Sequence, residues 1–164
     1  MPPDKPLNLI AACAENRVMG RQGKPPWHIP EDFAWLQEKT AGTVVVLGRL
    51  TFAAWPRARL DGRRPVVITR DRSLAGGGVL VADSVPSALA IAQRLPGEIM
   101  VCGGQRVFAE TLLLAHRLYL TLVHAEIPGD AYFPEWRHLA WREVSRRESH
   151  DSRHRYTFFV LERS

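Results

Sequence analysis

The feature that most constrains the fold is a succession of short apolar runs, each followed by a turn and then by helix-favouring sequence. Leu7 to Ala14 is apolar without strict alternation, which fits a central strand buried on both faces. Residues 43–47, 65–69, 98–102 and 116–123 read as further strands, with a brief one at 79–81. Between them lie helix patterns: Pro30 to Thr40, a short helix from Arg49 closed by Trp55-Pro56, one capped by Asp83-Ser84 that runs to about Arg94, and one over 105–113. The tail offers two longer strands, 141–149 and 155–161. This order predicts an α/β fold: a single-domain, mostly parallel central sheet with helices on both faces and antiparallel C-terminal strands at one edge. The domain is expected to span 1–164, with 1–6 as an N-terminal extension.

Composition narrows the function classes. Apolar content of 46% against 24% charged residues is that of a soluble globular protein. A net charge of +5 suits an anionic ligand, but no basic run is long enough to read as a nucleic-acid tail. No window is apolar enough to span a bilayer, and residues 1–6 lack a signal peptide's apolar core. Cys13 and Cys102 fall in apolar strands, which predicts free thiols in a reducing cytoplasm. Neither has a neighbouring Cys or His at ligand spacing, so no metal site is expected.

The stretch Pro26-Trp27-His28-Ile29-Pro30-Glu31-Asp32-Phe33 brackets an aromatic turn with prolines and opens a helix. Helical spacing puts Asp32, Phe33, Leu36 and Thr40 on one arc, with Trp35 at its edge; Ala34, Gln37 and Glu38 fall opposite. A carboxylate on an apolar face is costly unless paired. Alone, it reads as an ordinary first-turn acid at a helix start. A ligand-holding role needs support from the rest of the chain.

That support comes from strand ends. Open α/β sheets bind ligands beyond the carboxyl ends of their strands, where Asp32, Arg49 and Gly103-Gly104 all fall. Gly48-Arg49-Leu50-Thr51 combines close backbone approach, a guanidinium and a hydroxyl at a helix start. Gly103-Gly104-Gln105-Arg106 repeats the logic. Either glycine turn alone is weak evidence. Together they suggest a ligand with separated phosphates, and Thr69-Arg70 adds a hydroxyl and a cation suited to a 2′-phosphate, favouring NADPH over NADH.

With these pieces in order, the chain resembles the dihydrofolate reductases from about residue 7 to 161. The carrying segments include Asn16-Arg17-Val18-Met19-Gly20, Pro26-Trp27 through Asp32, Gly48 through Phe52, Gly62-Arg63, Ile99 through Gly104, Leu118-Tyr119-Leu120-Thr121 and Gly129-Asp130. The resemblance implies reduction of 7,8-dihydrofolate to tetrahydrofolate by NADPH. It implies that Asp32, Trp27 and Thr121 serve the chemistry: Asp32 accepts from pterin N3 and the 2-amino group, Thr121 bridges to that edge, and Trp27 holds a water. Ile10, Ala12, Phe33, Leu36 and Cys102 would line the substrate, and Arg63 would pair with the folate α-carboxylate. Arg49, Thr69 and Arg70 would surround the 2′-phosphate. Gly48, Leu50, Thr51 and Gly103 through Val107, including Gln105 and Arg106, would hold the cofactor's phosphates and neighbouring ribose. Ala12, Met19, Gly20 and Cys102 would flank its nicotinamide. A cis peptide at Gly103-Gly104 and a mobile lid over 16–27 are implied as well.

Departures from the family pattern are Pro25, Phe33 where Leu is more usual, Gln105 for a third glycine, and Trp55-Pro56. They bear on antifolate affinity, with trimethoprim insensitivity among the expectations. Relatives of this size imply a monomer in the cytoplasm, with dihydrofolate and antifolates as partners and neither membrane nor nucleic acid among them. A related reductase of riboflavin synthesis would share the fold but lacks the Trp-then-Asp helix start. A basic nucleic-acid binder would need aromatic platforms outside the core.

Overall fold

The apolar runs form one sheet whose two faces are both covered. The computed structural model describes residues 4–164; Met1 to Pro3 of the expected extension lie outside the described residues. The strands are β1 (Leu7–Ala14), β2 (Val18–Gly20), β3 (Val44–Gly48), β4 (Arg64–Ile68), β5 (Leu80–Ala82), β6 (Ile99–Gly103), β7 (Arg117–Val123), β8 (Ala131–Tyr132), β9 (Trp141–His150) and β10 (Arg155–Arg163). The α-helices are α1 (Pro30–Thr40), α2 (Arg49–Ala54), α3 (Val85–Arg94) and α4 (Gln105–Thr111). Eight strands pair in the order β5-β4-β3-β6-β1-β7-β10-β9. The first six are mutually parallel, and β10 and β9 close the sheet antiparallel at one edge, as the order of elements predicted.

Residues two apart along a strand share a face, and the core divides accordingly. Leu7 and Leu9, Val44 and Val46, Ile99 and Val101, and Leu118 and Leu120 pack with Val85, Ala88 and Ala92 of α3 and with Val107 and Phe108 of α4. Ile10, Val45, Leu47, Val67 and Met100 point the other way, onto Trp35 and Leu36 of α1 and Phe52 of α2. Non-alternating strands thus carry two apolar faces, which only a doubly covered sheet can bury.

Two features differ from expectation. The stretch after β1, read as one long connection, contains β2, which pairs antiparallel with β8 in a separate small sheet. Helix α4 stops at Thr111, whose hydroxyl bonds back to Val107 O at 2.7 Å, and a 3-10 turn completes the segment. Lys5, within the expected N-terminal extension, is tied to α3 and its exit: its backbone N donates to Gln93 Oε1 at 2.7 Å and its ammonium to Leu95 O and Gly97 O. No helix among the described residues is long and apolar enough to cross a membrane.

Candidate active site

Helix α1 starts where the sequence placed it, with Pro30 in its first turn and no side-chain cap at Ile29. It carries Asp32 over β7, beside Thr121. Burial pushes the Asp32 carboxyl up to about 6, and the adjacent Thr121 hydroxyl pulls the other way. Thr121 itself is fully buried. Its Oγ1 closes no hydrogen bond in the structure, so it lies near the carboxylate but remains free to bond. A buried hydroxyl without a partner is an unusual expense in a core, and it stands next to a half-buried acid. Ala12 sits opposite Thr121 in the β1–β7 register, and Ile10 opposite Tyr119. Ile10, Leu36 and Cys102 share one apolar cluster with Trp35, Phe52 and Tyr119. The Cys102 thiol is pushed up by burial, which keeps it protonated and a poor nucleophile. Trp27 is half-buried and packs in a neighbouring cluster with Ile29, Val123, Tyr156 and Phe158.

A second group lies at the carboxyl ends of β3 and β6. A register shift after Val46 sets Leu47 opposite Gly103. The two glycine turns therefore meet: a Cβ built on Gly48 would lie 3.8 Å from Gly104 N. A Cβ on Gly103 or Gly104 would come within 3.3 Å of Thr51 Oγ1. The peptide between these two glycines is cis. Helices α2 and α4 both begin here without a side-chain cap, leaving first-turn N–H groups beside the Thr51 hydroxyl. This bare cradle fits a pyrophosphate. Gly48 and Ile68 are register partners, so Arg49 and Thr69-Arg70 emerge side by side. Arg49 is close enough to Asp71 for its charge to help hold that carboxyl low, behind the larger effect of bonds from Ser73. The exposed Arg49 and Arg70 with half-buried Thr69 fit a terminal phosphate. Val107 is buried, Arg106 is exposed, and Gln105 Oε1 accepts from Tyr132 N at 2.6 Å.

The segment over 16–27, expected as a mobile lid, is tied to the rest of the chain at several points. Asn16 and Ile127 exchange hydrogen bonds, Arg17 donates to Phe133 O at 2.8 Å, and Asp130 accepts from Gln22 N at 3.1 Å while its own N–H donates to Gly20 O. Met19 is half-buried in β2. Gly129 allows this approach: a Cβ there would strike Val18 Cγ1 and come within 2.6 Å of Gly20 O.

Two residues of α1 sit differently from their place on the helical wheel. Phe33, assigned to the apolar arc, is 52% exposed. Gln37, assigned to the outer side, is half-buried and accepts from Arg63 through both its backbone O and Oε1, each at 2.8 Å. Arg63 has no exposed side-chain surface. Its Nε donates to Thr40 Oγ1 at 2.9 Å, and one amino group faces Arg57 O, Leu60 O and Asp61 Oδ2. The acid Glu31, which drew no role from the sequence, accepts from three side chains of β9 and β10.

A cavity of about 230 Å³ lies elsewhere, lined by His124, Glu148, Ser149, His150, Arg155, Tyr156 and Thr157. It contains none of the residues assigned to substrate or cofactor, although Ser149 and Tyr156, which donate to Glu31, line it. Both ring nitrogens of His124 there are committed, to Glu15 and Thr157.

An α/β sheet with paired glycine turns beyond the carboxyl ends of β3 and β6, and a desolvated acid over β7, fits one class: an enzyme that holds an extended phosphorylated cofactor and a small polar ring. The family model for dihydrofolate reductase matches residues 6–163, and the chain belongs to that family. It is 35% identical to a dihydrofolate reductase of Buchnera aphidicola over 161 residues, 96% of this chain and 99% of that protein. It is 41% identical to the type 3 dihydrofolate reductase of Salmonella typhimurium over 85% of each chain. The solved dihydrofolate reductase of Enterococcus faecalis, described as complexed with NADP(H) and RAB-propyl, superposes with a TM-score of 0.84 at 33% identity, covering 97% of this chain and 96% of that one.

The glycine cradle gives a prediction. Gly103 has φ +127°, a conformation L side chains rarely adopt, and its added Cβ would face Thr51 and Phe108. Gly103→Ala is expected to destabilise the fold by about 1–3 kcal/mol. It should also weaken NADPH by roughly tenfold or more, since backbone approach is what the turn provides. Thermal melts and a fluorescence titration with NADPH measure the two effects.

Proposed function

We propose that this chain reduces 7,8-dihydrofolate to 5,6,7,8-tetrahydrofolate with NADPH, and that Asp32 is the group that holds the pterin. The observation that carries the reading is the pairing of a desolvated Asp32 with the unpartnered hydroxyl of Thr121. When bound, NADPH supplies the hydride. The residues of the chain do the rest. With its carboxyl at about 6, Asp32 is mostly ionised at neutral pH and can accept two N–H donors from the edge carrying N3 and the 2-amino group. Its charge, partly shielded from water, favours a protonated ring at N5, next to the carbon that receives the hydride. Among the residues assigned to the substrate, no other carboxyl or imidazole stands by to deliver that proton, so water ordered near Trp27 delivers it. Ile10, Leu36 and Cys102 exclude bulk solvent from the ring. Arg49, Thr69 and Arg70 take the 2′-phosphate; Thr51 and the starts of α2 and α4 take the pyrophosphate; Ala12, Met19 and Gly20 flank the carboxamide.

Arg63 binds the folate α-carboxylate only if part of its present hydrogen-bond set is released, because every N–H of its guanidinium already faces a protein acceptor. The reading also has the chain act as a cytoplasmic monomer with no nucleic-acid partner. Purified protein should oxidise NADPH only when dihydrofolate is present, followed as loss of NADPH absorbance; no oxidation at saturating dihydrofolate would refute the proposal. A trimethoprim titration of the same assay checks the expected weak inhibition. Phe33→Leu, which removes an exposed ring next in sequence to Asp32, should tighten the drug if Phe33 causes the weakness.

A further inference from the structure

Helix α1 carries Asp32 in a first turn that Pro30 starts but no side-chain cap ties down. Ile29, at the cap position, supplies no side-chain bond, and Thr40 at the far end is the helix's one fully buried residue. The far end is clamped by Arg63, through Gln37 and Thr40. At the near end the matching contacts converge on Glu31. Its Oε1 accepts from Ser149 Oγ at 2.6 Å and from the Tyr156 hydroxyl at 2.8 Å, and its Oε2 accepts from Arg147 at 2.5 Å. These donors lie more than a hundred residues away in sequence, on the antiparallel pair β9 and β10. Arg147 is itself stacked over Phe158, which packs against Trp35 of α1 and against Tyr156. Charge-assisted bonds of this kind are short and strong, and here three meet on one carboxylate next in sequence to Asp32.

We infer that Glu31 is a positioning residue for substrate reduction: by tying the entry turn of α1 to Arg147, Ser149 and Tyr156, it sets where Asp32 stands over Thr121. The inference rests on the pterin-holding role of Asp32 and goes beyond it. Bonds from Ser149, Arg147 and Tyr156 hold the Glu31 carboxyl down at about 2, so the clamp stays charged throughout the pH range of the reaction. The facing groups are Arg147 and Ser149 from β9 and Tyr156 from β10 for Glu31, and Thr121 from β7 for Asp32. Releasing the clamp lets water reach Asp32, and relief of its burial lowers the Asp32 carboxyl toward its ordinary range.

The test compares Glu31→Ala, Glu31→Gln and the pair Ser149→Ala/Tyr156→Phe by kcat/KM across pH, by dihydrofolate binding through tryptophan fluorescence, and by thermal melts. Glu31→Ala should lower kcat/KM for dihydrofolate about tenfold, shift its acid-side midpoint downward, weaken dihydrofolate binding and leave KM for NADPH within about twofold. Glu31→Gln, whose amide oxygen still accepts from the two hydroxyls, should stay within about threefold of the parent. The Ser149/Tyr156 pair should reproduce the Glu31→Ala loss, and combining all three should add little, as expected for members of one network. A parent-like kcat/KM and midpoint in Glu31→Ala, even with a lower Tm, overturns the inference. Should Glu31→Ala fail to fold, a parent-like profile in the Ser149/Tyr156 pair overturns it equally. Asp32→Asn run alongside separates the two claims: if it stays fully active the reading of Asp32 fails and this inference with it, whereas an impaired Asp32→Asn beside a parent-like Glu31→Ala sinks the clamp alone.

Discussion

Asp32→Asn is expected to lower kcat/KM for dihydrofolate by about 10²–10³-fold at neutral pH, the scale seen when a positioned acid or base is removed. The amide keeps the size of the side chain but cannot carry the negative charge that favours a protonated pterin. The loss should shrink as the pH falls, because at low pH the parent carboxyl is protonated too and free dihydrofolate gains protons without help. A pH series of initial rates measures this. The same substitution should stabilise the unliganded protein. Burial raises the Asp32 carboxyl from 3.8 to about 6, so the fold binds its proton more tightly than the unfolded chain does. The parent therefore has its full share of stability below about pH 4 and loses it as the pH rises through 6. A shift of that size corresponds to something on the order of 2–3 kcal/mol. Asn, neutral at every pH, escapes the loss. The gain in Tm over the parent should be near zero at pH 4, grow to pH 6 and level off above. A variant that is both less active and less stable at neutral pH would show that Asp32 is not held against its own ionisation.

Much of this fold could be read from local pattern. Helix α1 runs over Pro30–Thr40, the span its prolines and Gly42 marked. The two-faced strands β1, β3, β6 and β7 announced themselves as apolar runs without alternation, because a strand covered on both sides has no polar face to display. The glycine turns were visible because close backbone approach leaves glycine as its mark. What stayed hidden was non-local. Strands β2 and β8 have three and two residues, too few for any period, and the segment over 16–27 is tied by side chains bonding to distant backbone. Glu31 looked like any first-turn acid, since its donors come from β9 and β10. Phe33 closes the apolar arc and Gln37 opens the opposite one, so they meet at the boundary one turn apart, and spacing alone could not say that the ring would face out and the amide would face Arg63.

Arg63→Ala should be among the most damaging single changes for stability, ahead of any effect on substrate. The guanidinium is sealed from solvent and lies 5.2 Å from the Trp55 ring centre. Truncating it would strand the backbone oxygens of Gln37, Arg57 and Leu60, together with Thr40 Oγ1 and Gln37 Oε1, in a space water cannot readily fill. Removing one partner from a buried, fully bonded charge typically costs about 3–5 kcal/mol. Arg63→Lys should recover little, because one ammonium offers three donors from a single point whereas these acceptors surround a planar fork. Denaturant melts of both variants check the energy. A split between stability and binding checks the role: a variant that melts like the parent but has lost dihydrofolate affinity would mean that Arg63 serves the ligand and that its interior bonds are dispensable. The opposite result, lower stability with little change in KM where the protein remains folded, is the one expected. It follows from geometry: the donors of this arginine are spent on Thr40, eight residues along α1 from Asp32, on Gln37 and on the turn over 57–61, and so go to the fold before any ligand.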